Sequence, residues 1–195
     1  MRLTDIQALA RQTILQESEA VKQLAGFIDP VFEEVVKLIA ACKGKIVFSG
    51  VGKSAAVAQK IVATFNSTGT QASFLHAADA IHGDLGLVQK EDIILIISKS
   101  GESPEIRLLL PLVKSFGNRV VAITGNTDSY LAGAADHIIN TTVEQEACPN
   151  NLAPTTSTTA QMVMGDALAV CLMAYNGFTS DDFAKFHPGG ALGKR

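Results

Sequence analysis

Along the first part of the chain, apolar residues recur at helical spacing: Leu3, Ile6, Leu9, Ala10, Ile14, Val21 and Leu24 mark one long amphipathic helix. Asp29 followed by Pro30 is a helix start, a carboxylate able to cap amides ahead of a residue whose φ is already helical. The stripe Phe32, Val35, Val36, Ile39, Ala40 follows and Gly44 ends it. From there the rhythm changes. Short apolar runs at 45–49, 72–75, 92–98, 119–124 and 137–141 alternate with longer helical stretches. The runs at 92–98 and 119–124 are almost continuously Ile, Leu and Val, the pattern of parallel strands covered on both faces. Ser54 is expected to open a helix over 54–68. Ser103 with Pro104 opens another over 103–117, presenting Ile106, Leu109, Leu110, Val113 and Phe116 and kinked at Pro111. A polar loop at about 143–156 precedes a last long helix over 157–175, and Thr179 with Asp182 makes a capping-box start to a short one. Strand alternating with helix predicts an α/β fold.

Composition narrows the function. With 195 residues, 47% hydrophobic and 18% charged, the chain is long enough to bury roughly 70% of the surface its unfolded form exposes, as one domain without a disulfide or metal staple. Sixteen Lys and Arg against 19 Asp and Glu leave a formal charge of -3, which gives no footprint for a nucleic-acid backbone. Cys42, Cys148 and Cys171 are odd in number and far apart, with no paired spacing, which fits a reducing compartment. Charges run throughout the first 20 residues, so they read as a helix rather than a leader or membrane span. The expectation is a cytoplasmic protein with no nucleic-acid or membrane partner.

Ligands of open α/β sheets gather at the carboxyl ends of strands, and two loops there rhyme. SGVGKS (49–54) and SKSGES (98–103) each carry Gly and Ser from a strand into a helix. Small residues admit an anion close to the backbone, while hydroxyls and helix-terminal amides donate to it, so a phosphate is the natural guest. Either loop alone also reads as an ordinary capped turn; the duplication favours binding. Neither is a Walker loop, because the residue five ahead of Gly52 is Val47, inside a strand. Gly50, Gly52 and Ala55 do fit the dinucleotide pattern, but the next strand ends at Leu75 and His76 without the acidic residue a ribose needs.

Taken together, GVGKS (50–54), ATFNSTGT (63–70), HGDLG (82–86), ISKSGESPEI (97–106), EACPNNLAPTTSTTAQMVMGDALAV (146–170) and FHPGGALG (186–193) resemble the sugar isomerase (SIS) domain family, and within it the arabinose 5-phosphate isomerases. The resemblance covers the chain from about residue 45 onward. It implies a three-layer, flavodoxin-like sandwich with a five-stranded parallel sheet between helices, a homotetramer, and no required cofactor; the four dispersed His, and cysteines outside the matched site, give little support for a metal site. Longer members continue into CBS domains, so a chain stopping at Arg195 reads as a single SIS domain. Without CBS domains, feedback is expected at the active site itself, from a nucleotide-activated sugar acid such as CMP-Kdo. The implied activity interconverts D-arabinose 5-phosphate and D-ribulose 5-phosphate through an enediol, supplying Kdo for lipopolysaccharide or capsule. A sugar-phosphate-sensing module and an isomerase of another phosphosugar are the alternatives.

The resemblance carries over Lys53, His82, Glu105, Glu146 and His187 as catalytic candidates. Lys53 would neutralise phosphate or an enediolate oxygen, or else is a surface lysine. Glu105 lies in a first helical turn, where a carboxylate suits the dipole whatever its use. Glu146, in a polar loop where it has no evident structural task, is preferred as the base. His187, presented by FHPGG, serves oxygen or ring opening; His82, on its turn, would reach a neighbouring subunit's site. For phosphate the candidates are Ser49, Gly50, Gly52 and Ser54 in the first loop, and Ser98, Ser100, Ser103 and the Gly101 amide in the second. Thr156 and Ser157 join them from the TTSTT stretch. His76 and His137 read as structural, Met162 and Met164 as core or subunit contact. Lys99 departs from the family pattern, which often has Asn there, and adds a positive charge beside the phosphate loop.

Overall fold

The computed structural model describes residues 5–189; Leu3 and the GALG part of the C-terminal motif (190–193) lie outside them. The five apolar runs form strands β1 (Ile46–Gly50), β2 (Ala72–His76), β3 (Ile93–Ser98), β4 (Arg119–Thr124) and β5 (His137–Asn140). All pair in parallel, in the order β2-β1-β3-β4-β5. Alternation along each strand sends side chains to opposite faces. Ile46, Phe48, Leu95, Ile97, Val121 and Ile123 meet α2 (Pro30–Ala40), α3 (Gly52–Ser67) and α7 (Thr156–Asn176) on one face. Val47, Ile94, Ile96, Val120 and Ala122 meet α4 (Ala77–Ala80), α5 (Pro104–Ser115) and α6 (Tyr130–Ala134) on the other. Burial on both faces is why β3 and β4 are apolar without alternation. The three-layer α/β sandwich is as the sequence predicts.

This strand order has a switch point. From β1 the chain turns to one face through α3, and from β3 to the opposite face through α5, so a crevice opens between their carboxyl ends. The two Ser-Gly loops are the walls of that crevice.

Element boundaries depart from expectation in three places. Helix α3 begins at Gly52, with Val51 at the cap position, rather than at Ser54. Gly52 takes φ +59°, a turn that sequence reads as loop. Helix α5 runs through Pro111 to Ser115, and its cap residue Ser103 makes no side-chain capping bond. The four- and five-residue helices α4 and α6 are too short to show a period. Elsewhere the caps are as read. Asp29 accepts from the Phe32 amide at the start of α2, and Thr179 and Asp182 close a reciprocal capping box on α8 (Ser180–Phe186). Thr179→Ala is therefore expected to lower unfolding free energy by about 1 kcal/mol, read from the urea midpoint.

Helix α7 is long and apolar enough to cross a membrane by composition. It is the central helix of one face instead, burying Ala160, Met164, Leu168, Ala169 and Leu172 against α3, α2 and α1 (Ile6–Leu24). Met162 is packed partly against the same core.

Candidate active site

Residues 141–155 carry the chain from the edge strand β5 back over β4 to the crevice, where α7 begins. The result is a cleft of about 230 Å³ lined by Val51, Lys53 and Ser54 from the first loop, Ile97 to Ser100 and Ser103 from the second, and Pro154, Ser157 and Thr158 from the start of α7. The amino ends of α3, α5 and α7 thus converge, and two lysines join them. Helix dipoles, the first-turn amides of α3 and α5 and the ammonium groups all favour an anion there.

The loops are braced from within. The Ser98 hydroxyl oxygen accepts from the Gly101 amide at 3.1 Å and the Ser100 hydroxyl from the Glu102 amide at 3.2 Å. The Gly101 amide, expected to bind phosphate, is thus already engaged, while the hydroxyl hydrogens of Ser98 and Ser100 remain available as donors. Gly101 itself has φ +65° and lies against the Cβ of Ser129, the residue that caps α6. On the first loop, Ser54 donates to Gln161 of α7 at 3.2 Å, tying loop to helix instead of capping α3.

Ser49 is fully buried in β1 and does not line the cleft, which corrects its place among the phosphate ligands. Gly50 and Gly52 are not lining residues either. A side chain at Gly50 would press on the Ile97 carbonyl and the Ala55 amide at 3.1 and 3.2 Å, so this glycine lets β1 turn tightly into α3. Thr156 and Ser157 part company because neighbours on a helix point about 100° apart. Ser157 lines the cleft; Thr156 faces a separate cavity beside Gln16, Gln23 and Gln145.

Glu146 has the structural task its loop position did not suggest. Its side chain is wholly buried and sits behind the cleft-lining Lys99 and Ser157 rather than among the lining residues. Oε1 accepts from Lys99 Nζ at 2.6 Å and from Ser157 Oγ at 2.5 Å, while Oε2 accepts from the Thr155 amide at 2.9 Å and the Ser157 amide at 3.1 Å, with Thr155 Oγ1 at 3.3 Å. Its own amide donates to Asn151 at 2.7 Å, and Gln16 of α1 donates to its carbonyl at 3.1 Å. Burial pushes the carboxyl up, but the bonds from Lys99, Ser157 and Thr155 outweigh it and hold the pKa down to about 2. One residue thus pins the return loop to both the second Ser loop and the start of α7.

The other candidates are spread. Lys53 is exposed at the cleft mouth, without a side-chain partner among the described residues. Glu105 sits half-buried in the first turn of α5, outside the lining residues. His82 is exposed on the turn after α4. His187 is packed rather than presented. Its ring stacks on Phe183 with centroids 3.8 Å apart, and Nδ1 lies 2.8 Å from the Phe183 carbonyl. Nor can it serve its own cleft. Its neighbour Phe186 stacks on Phe178, just past the end of α7, with ring centroids 6.1 Å apart, while the cleft opens at the start of that helix, about 30 Å away along its 21 residues. His76 faces Asp79 at 3.6 Å and His137 faces Glu34 at 3.7 Å, and in each ring Nδ1 is buried without a hydrogen-bond partner among the described residues.

Residues 38–171 match the family model of the SIS domain. The chain belongs to the SIS domain family. Curated relatives include the arabinose 5-phosphate isomerase KdsD of Pseudomonas aeruginosa, 50% identical over 95% of this chain and 57% of that protein. The isomerase KpsF of Escherichia coli CFT073 is 48% identical over the same shares. This SIS chain therefore spans little more than half the length of those relatives. Among solved structures, the c3406 protein of E. coli CFT073 in complex with arabinose 5-phosphate superimposes with a TM-score of 0.90 at 40% identity, covering 96% of this SIS chain and 100% of that one.

Proposed function

We propose that this SIS domain is an aldose–ketose isomerase interconverting D-arabinose 5-phosphate and D-ribulose 5-phosphate. The observation that carries it is the cleft itself: two Ser loops and the open amino ends of α3 and α5 made for a phosphate, next to a buried, ionised carboxylate that caps α7. The relatives named for this reaction and the arabinose 5-phosphate complex of the E. coli protein support the choice of sugar.

In this reading the hydroxyls of Ser98, Ser100 and Ser103 and the amide of Ser54 hold the phosphate, placing the open-chain sugar along the crevice towards Glu146. Glu146 takes the proton from C2 of the aldose, the C2–H electron pair forms the C1–C2 double bond of an enediolate, and the carbonyl electrons move to O1. Lys53 stabilises that oxygen charge. The same proton returns to C1, and the hydroxyl proton passes from O2 to O1 through an imidazole. Because His187 cannot reach its own cleft, that imidazole comes from a neighbouring chain of a homotetramer, His187 or His82. Glu105, in the first turn of α5, supports that helix's amino end. The protein is cytoplasmic, its arabinose 5-phosphate feeds Kdo synthesis for lipopolysaccharide or capsule, and a nucleotide-activated product such as CMP-Kdo competes at the same cleft.

The test is to incubate purified protein with ribulose 5-phosphate and follow arabinose 5-phosphate by NMR. Equilibration of the two sugars is expected. Binding without turnover would point to a sugar-phosphate sensor, and turnover of a different phosphosugar would correct the substrate. For the shared site, His187→Ala and Lys53→Ala variants, each nearly inactive alone, are expected to regain up to about a quarter of wild-type activity when co-assembled, as random mixing of one shared contact allows.

A further inference from the structure

Lys99 stands where two anions compete for one ammonium. Its side chain is 47% exposed and lines the cleft, yet Nζ lies 2.6 Å from the buried Oε1 of Glu146. Its backbone is anchored, because its carbonyl accepts from the Gly125 amide at 3.1 Å, so only the side chain is free to swing. Ser98 and Ser100, the flanking residues, line the same cleft. A phosphate seated on their hydroxyls brings two negative charges within the reach of a lysine side chain, against one on Glu146.

We propose that Lys99 is a positioning residue that leaves Glu146 for the substrate phosphate, so that phosphate binding itself releases the carboxylate oxygen that takes the proton. This rests on the isomerase reading above. In the unliganded chain Oε1 is occupied by Lys99 and Ser157, a poor state for a base. Moving the ammonium to the phosphate leaves Ser157 and Thr155 to orient Glu146 while opening Oε1 towards the sugar. It also strengthens the base, because a carboxylate deprived of an adjacent cation holds a proton more tightly. A dianion then turns on its own catalysis, and a sugar lacking the phosphate leaves the base locked. The other charged or titratable groups around the pair are few. Lys53 faces the cleft from α3, Cys148 lies on the Glu146 loop, and Glu17 of α1 is held by Thr159 of α7. Lys53 has no bond to Glu146 among the described residues, which leaves Lys99 as its bonded cation there.

Lys99→Gln tests this in two independent ways. In the first, carbon-13-labelled glutamate reports the Glu146 carboxylate by NMR, assigned through its loss in Glu146→Gln, as inorganic phosphate is added at pH 8, where phosphate carries two negative charges. The wild-type carboxylate resonance is expected to shift as its ammonium partner leaves, whereas in Lys99→Gln it starts displaced and moves far less. Phosphate is also expected to bind about tenfold more weakly to the variant. In the second, kcat/KM reports groups of the free enzyme and kcat those of the substrate complex. Lys99→Gln should move the acid limb of kcat/KM upward and leave that of kcat in place. Lys99→Arg, which keeps the charge, should restore phosphate affinity. If both acid limbs move together, Lys99 stays on Glu146 throughout and the switch is wrong. A wild-type Glu146 resonance indifferent to saturating phosphate at pH 8 also overturns it. If the protein isomerises nothing, the isomerase reading fails, while the phosphate titration still decides whether Lys99 couples the two anions.

Discussion

Glu146→Gln is expected to lower the turnover of arabinose 5-phosphate by about a thousandfold, the usual worth of a positioned base, and to destabilise the chain as well. The amide cannot replace the carboxylate, since both oxygens accept: Oε1 from Lys99 and Ser157 Oγ, Oε2 from two backbone amides. Whichever way it turns, the NH2 group faces donors, and Lys99 loses its anion. A loss of roughly 3 kcal/mol follows for a broken buried charge network, or about 9 °C in Tm for a chain of this size. Acid separates this from a generic defect. The folded pKa of about 2 lies below the ordinary carboxyl value of 4.5, so the folded chain binds fewer protons there than the unfolded one. Its stabilising contribution is complete above pH 4.5 and drains away as pH falls towards 2. Urea unfolding at neutral pH and near pH 3 should therefore show the gap between wild type and variant shrinking in acid. An unchanged gap would mean that the carboxylate is not held as described.

Gly101→Ala is the second large effect. A residue at φ +65° tolerates a Cβ at a cost of about 1 kcal/mol, and here that Cβ would also overlap Ser129. Pushing Ser129 aside removes its bond to the Ala132 amide and uncaps α6, so overlap and lost cap together add about 2 kcal/mol. The same shift pulls the Gly101 amide from Ser98, loosening the hydroxyls that would hold a phosphate. Expected are a drop of about 3 kcal/mol in unfolding free energy and a loss of inorganic-phosphate binding by calorimetry. Adding Ser129→Gly relieves the overlap but not the φ, and should return about half of the stability. A full recovery would assign everything to crowding, and no recovery would assign it to backbone strain.

The parts of this molecule that sequence reveals are those whose cause is local. Ile93 to Ile97 announce a doubly covered strand by their own composition, and Thr179 with Asp182 carry their cap within four residues. The start of α3 is hidden because Gly52 reads as loop until its neighbours fix its φ. Glu146 stands out in its loop yet reads there as structurally idle. Its donor Lys99 is 47 residues away, and no pattern along the loop announces a contact across the crevice. The packing of His187 depends on a ring four residues back, and its distance from the cleft depends on the direction of α7. Both are properties of the assembled fold.

Helix α1 buries Leu24 alone among its 19 residues, yet it touches the site twice, through Gln16 on the Glu146 carbonyl and Glu17 on Thr159. An element so lightly held opens before the core does, and its amides exchange with solvent through that local opening rather than through global unfolding. Each opening strips a donor from the loop that carries Glu146. Anything that braces that loop, a bound anion included, thereby slows hydrogen exchange along a helix at the far end of the sequence.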